Sequence, residues 1–172
     1  MANADVTPVY CISSNLKLGS GVARIGDWKR AGLSCALGTG GAASNNNLNF
    51  FKEMHLVSLV HKGVVGDPTF LQPKELLHAA SRAGYLAQRR PNGGLMKEGF
   101  DADLVVIDLD RPHLLPENDI ASHLVHSAQA TDVYMTMVGG DVLYENGEFK
   151  TLDKERIMAD AKRVTGEVLA RM

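Results

Sequence analysis

Six histidines, two cysteines and a dispersed set of carboxylates are the groups in this 172-residue chain that could bind a metal or move a proton. Hydrolytic metal chemistry needs several nitrogen or oxygen ligands converging on one ion, with a position left open for water. His55 and His61 are six residues apart, so a helix turns them about 120° away from a common face. His123 and His126 are three apart and can share one. His78 and His113 stand alone, and no His-x-His pair occurs anywhere. The expectation is satisfied or surface histidines, with no metal ligand and no cofactor in this chain.

Other groups admit two readings. Ser14 and Asn15 follow the first apolar run and could contact a substrate; loop-capping hydrogen bonds explain them as well. Ser44, Asn45 and Asn46 carry the same ambiguity, since helix capping accounts for them. Gly38-Thr-Gly40-Gly-Ala-Ala43 formally matches the dinucleotide pattern Gly-x-Gly-x-x-Ala. No acidic residue ends a second strand about 20 residues later, so phosphate binding is not expected. Asp101, Asp103, Asp108 and Asp110 read as solvent-side and turn residues. Cys11 and Cys35 read as reduced, buried and inert.

The elements that must position these groups follow from apolar pattern and breakers. Val9 to Leu18 reads as a strand with its loop, and Val22 to Ala31 as a short helix ending at Gly32. Leu33 to Leu37 is nearly all apolar, as in a strand buried on both faces. Strand, helix, strand is a βαβ unit. Asn45-Asn-Asn47 is expected to cap a helix over 48–62, and Pro73 to open another over 74–88. Residues 89–94 form a hinge-like loop. Beyond it come strands over 102–109, 132–138 and 141–144, with Asn146-Gly147 as a hairpin turn. A last helix starts at Asp153, with Ile157, Ala161, Val164 and Val168 on one face.

Composition bounds the class. The chain is 45% hydrophobic and 22% charged, with a formal charge of -2. Lysines and arginines are scattered, which argues against a nucleic-acid partner. No apolar run reaches 18 residues, so no membrane span is expected. The Met-Ala-Asn-Ala-Asp start lacks the regions of a signal peptide, and a cytoplasmic protein is expected.

Four segments occur in order: Val9-Tyr-Cys-Ile-Ser-Ser-Asn-Leu-Lys-Leu-Gly-Ser-Gly21, Ala36-Leu-Gly-Thr-Gly-Gly-Ala-Ala-Ser-Asn-Asn-Asn-Leu48, Gly94-Leu-Met-Lys-Glu-Gly-Phe-Asp-Ala-Asp-Leu-Val-Val-Ile-Asp108, and Arg111-Pro-His-Leu-Leu-Pro-Glu-Asn-Asp119 continued by Leu124-Val-His-Ser127 and 132–139. Together they resemble the metal-dependent aminohydrolases of the amidohydrolase superfamily. The fourth resembles the methylthioadenosine/S-adenosylhomocysteine deaminase branch, with related chlorohydrolases and cytosine deaminases close by.

The resemblance implies an α/β fold: the last βα units of a (β/α)8 barrel over residues 1–93, equivalent to strands seven and eight with their helices. A segment of a small β-domain follows over 94–150, then a C-terminal helix over 151–172. A whole barrel takes roughly 250 residues, so the chain looks like the C-terminal portion of a larger enzyme. The implied activity is hydrolytic deamination of a purine nucleoside-like or other cyclic C–N substrate. Zinc or iron activates the water in complete members.

Two positions depart from the family pattern. Gly40 stands where Gly-Thr-Asp-Gly places a metal-binding, proton-carrying Asp. Tyr10 stands where the strand-seven motif has His. Both are expected at the pocket. The isolated chain is therefore expected to be inactive, with no catalytic residue of its own. The alternative is a structural or interaction module that self-associates or complements a barrel half from another chain, because open strand edges seek partners.

Overall fold

A computed structural model describes residues 6–172. Strand β1 is only Val9–Tyr10, and it pairs in parallel with β2, Ala36–Leu37. The expected loop after β1 is instead helix α1, Ile12–Lys17. Fully buried Ile12 anchors it in the core. Helix α2 spans Ile25–Arg30 and stops at Gly32, whose φ of 70° ends helices readily. The parallel pair with helices between its strands is the expected βαβ connection, with both strands trimmed.

Helix α3, Ala42–Asn45, is one turn long. The cap of the next helix therefore falls later than the asparagine cluster predicts. Asn49 caps α4, Phe50–Val65, by accepting from Lys52 N–H, while the Asn47 side chain accepts from Asn49 N–H. Gly66, with φ of 72°, ends α4 three residues beyond the expected stop. The single helix expected over 74–88 is two, α5 (Pro73–Ala80) and α6 (Arg82–Ala87). Ser81 separates them: its hydroxyl donates to Leu77 carbonyl at 2.6 Å, competing with the backbone ladder.

A second, antiparallel sheet has the order β3-β4-β5-β6. Its strands are β3 (Leu104–Ile107), β4 (Val133–Val138), β5 (Asp141–Glu145) and β6 (Glu148–Phe149). Helix α7, Ile120–His126, lies between β3 and β4 and packs on α4 and α5. The expected turn joins β5 to β6: Asn146 and Gly147 have φ of 46° and 90°, the left-handed pair such turns require. Helix α8, Lys154–Leu169, starts at Asp153, whose side chain accepts from Arg156 N–H. Its expected apolar face is uncovered, for none of its residues is buried.

The core is one cluster in the α/β part. Tyr10, Ile12, Ile25, Leu37, Met54, Val57, Leu71, Leu76 and Val125 pack between the parallel pair and helices α2, α4, α5 and α7. Among the described residues no helix is long and apolar enough to cross a membrane.

Candidate functional site

β1 and β2 end side by side, so the residues that follow them converge. Ser13 and Ser14 open α1, and Thr39 to Asn45 lead from β2 through α3. The Ser14 and Ser44 hydroxyls hydrogen-bond at 2.9 Å, and Ser14 Oγ donates to Thr39 carbonyl at 3.4 Å. The Asn45 amide donates to the same carbonyl at 2.7 Å and to Glu53 Oε1 at 2.8 Å. Ser13 N–H donates to Glu53 Oε2 at 3.2 Å. Glu53, on α4 and 1% exposed, therefore ties both strand-end segments together through a buried carboxylate.

Gly40 lies in this network. Its φ is +67°, which disfavours any side chain. A Cβ there would meet Ser14 Oγ at 2.8 Å and Ser44 Oγ at 3.2 Å. The two hydroxyls are bonded to each other, so neither moves without breaking that contact. Among the described residues no three His, Cys, Asp or Glu side chains gather closely enough to hold a metal ion.

The expected site residues divide. Ser14 and Gly40 meet in the cluster. Asn15, half-buried on α1, closes its turn by accepting from Ser20 N–H at 2.8 Å. Tyr10 turns the other way, correcting its expected place at the pocket. It is 2% exposed and edge-on to His61, with ring centroids 5.6 Å apart, and its hydroxyl accepts from Ala23 N–H. A tyrosine ring is better accommodated in this apolar layer than in the polar cluster. Burial pushes its hydroxyl pKa up and that of His61 down.

Four of the other five histidines take structural neighbours, and His78 is exposed. His113 Nε2 sits 2.8 Å from Asp132, His123 sits 3.2 Å from Pro116 carbonyl, and the His126 ring lies edge-on to His55. Both cysteines are free and half-buried. Burial raises the Cys11 thiol and lifts Cys35 to about 11, which keeps them as thiols at neutral pH. Asp103 is not the solvent-side residue expected. It accepts from Tyr85 hydroxyl at 2.5 Å and Gly139 N–H at 2.6 Å, and pairs with Arg90 at 3.2 Å. The Tyr85 hydrogen bond, Gly139 N–H and Arg90 hold its carboxyl below the usual range.

Sequence reasoning missed Glu53. The available signal was its register: it lies on the helical stripe of Phe50, Met54 and Val57, where a lone carboxylate must be buried or break the face.

Residues 2–143 match the Amidohydrolase family. A 5-methylthioadenosine/S-adenosylhomocysteine deaminase from Acetivibrio thermocellus is 45% identical over 95% of this chain and 38% of its own length. A 5'-deoxyadenosine deaminase from Methanosarcina acetivorans is 40% identical over 92% of the chain and 36% of its own. Among solved structures, an adenosine deaminase from Xanthomonas campestris with bound zinc superposes with a TM-score of 0.92 at 31% identity. That match covers 96% of this chain and 38% of the other. Atrazine chlorohydrolase from Arthrobacter aurescens, complexed with zinc, gives 0.86 at 31% identity, over 94% of this chain and 36% of its own. The chain spans little more than a third of the length of these relatives. With a family match over most of its residues, the chain belongs to the amidohydrolase family.

Proposed function

We propose that this chain supplies the last two strand–helix units of a (β/α)8 barrel over residues 1–93, part of the accompanying β-domain over 94–150, and a terminal helix over 151–172. The whole assembly is a hydrolytic deaminase. Its substrate is a purine nucleoside-like ring with an exocyclic amine. Water adds to the ring carbon bearing the amine, the C–N bond breaks, and the nitrogen leaves as ammonia after taking a proton. The single observation behind this reading is the convergence of both strand-end segments on one polar cluster, because barrel enzymes place their chemistry at the carboxyl ends of their strands. The deaminase relatives named above agree in substrate class. Two free, half-buried thiols suit the reducing cytoplasm.

By itself the chain is without this activity. Gly40 offers no carboxylate, and a Cβ at its positive φ would press on the Ser14 hydroxyl. The test mixes the chain with the part of the Acetivibrio thermocellus relative that it does not match, and measures ammonia release from 5'-methylthioadenosine. The relative's own equivalent segment is the positive control, and co-purification reports assembly. No ammonia from an assembled mixture is expected. Ammonia release by the Gly40 chain overturns the inactivity argument.

A second reading, a module that self-associates or completes another chain's barrel half, is favoured by β3. This strand lies at the sheet edge, and its Val105 and Val106 are exposed. Unguarded apolar edges recruit strands. Light scattering reads this directly: a monomer with one sharp unfolding transition counts against it.

A further inference from the structure

Glu53 is buried, and its donors among the described residues are both neutral: Ser13 N–H and the Asn45 amide. A buried carboxylate without a counter-charge is costly. Two more buried acceptors flank it. Asn45, 6% exposed, directs its amide nitrogen to Oε1, and its own Oδ1 has no partner. Ser13 directs its N–H to Oε2, and its Oγ has none either. Turning the Asn45 amide over does not help. Its oxygen would then face Glu53 and the Thr39 carbonyl, setting three acceptors against one another.

We propose that Glu53, Asn45 Oδ1 and Ser13 Oγ hold a monovalent cation of potassium or ammonium size. One positive charge neutralises one carboxylate. The two unpartnered oxygens need donors or a hard cation, and either ion satisfies both. A water molecule would meet the orphaned oxygens but leave the charge buried and unpaired. A calcium-like ion calls for more carboxylates than this one. The potassium reading stands on these groups alone. The ammonium reading also rests on the deaminase function, since ammonium is that reaction's product and Asn45 is bonded to the residue beside Gly40.

The experiment is thermal unfolding in potassium, ammonium, sodium and tetramethylammonium chloride at one ionic strength. Potassium or ammonium at a hundredfold excess over its dissociation constant raises Tm by about 5 °C or more relative to tetramethylammonium. Glu53→Gln keeps the shape and removes the charge, so its Tm no longer depends on which cation is present. Should that variant not fold, Ser13→Ala removes one ligand while keeping the N–H donor, and it shrinks the shift. A bound signal from nitrogen-15 ammonium, displaced by potassium, identifies ammonium as an occupant; thallium-205 resonance does the same for the potassium site. Equal Tm values in all four salts overturn the proposal and leave a water in the ion's place. Neither outcome depends on the ammonia-release assay, so the two readings fail separately.

Discussion

The two sheets of this molecule are stabilised in opposite ways. β1 and β2 have two residues each, yet Tyr10, Ala36 and Leu37 are buried under helices on a single core. The four-stranded sheet carries far more ladder hydrogen bonds, and none of its strand residues is buried. A net hydrogen bond contributes about 1 kcal/mol, against roughly 1.5–3 kcal/mol for a fully buried aliphatic side chain. Sheet content therefore points to the wrong half of the molecule: stability concentrates where the strands are shortest.

Core substitutions test this contrast most sharply. Leu76→Ala is expected to cost about 2–5 kcal/mol by chemical denaturation, and Val57→Asp, which buries an unpaired charge in the same cluster, more. Val105→Asp on the edge strand should stay within about 0.5 kcal/mol, as exposed substitutions do. Equal costs for Leu76→Ala and Val105→Asp would erase the contrast.

A smaller effect is expected at the strand ends. Gly40→Ala places a Cβ in a left-handed conformation against Ser14 Oγ, at a cost of about 1–3 kcal/mol. Adding Ser14→Ala removes the close contact but not the backbone strain. The double variant should then recover part of the loss, seen as a coupling energy in the mutant cycle. Additive costs would mean that the hydroxyl pair does not fill the Cβ position.

The gentlest probe is pH. Burial lowers the His61 pKa; burial, then Lys62 and His55, lower that of His126. A lowered folded pKa makes the unfolded chain the better proton binder, so stability falls as pH drops below about 6.5. His61→Leu should flatten that slope. Beside the four-stranded sheet, Asp103 and Asp132 are depressed instead. Burial pushes Asp132 up, but Gln129 N–H and His113 outweigh it. Their contribution is present above about pH 4 and lost only below it. Trp28, the sole tryptophan, packs against the core cluster and reports the first stage by fluorescence. Circular dichroism follows the second. A single acid transition would merge the two regions.

Much of this organisation was readable beforehand. The parallel pair, the Asn146-Gly147 turn and the Asp153 cap depend on local pattern and turn chemistry, which travel with the residues. Tyr10 did not, because a strand-end position does not say which face its side chain takes; His61 and Ala23 decide that from elsewhere in the chain. Ser81 illustrates another limit: a side-chain bond to Leu77 splits a helix that propensity alone would continue. Glu53 was hidden because its partners, Ser13 and Asn45, come from separate segments.

That separation carries a consequence for folding kinetics. Ser13 and Glu53 are 40 residues apart, so their contact forms only after a long loop has closed, at an entropic cost paid before any reward. Helix pairs close in sequence, such as α4 and α5, can assemble without it. The strand-end cluster should therefore form after the rate-limiting barrier. Substitutions at Glu53 or Asn45 would then accelerate unfolding and leave refolding rates nearly unchanged.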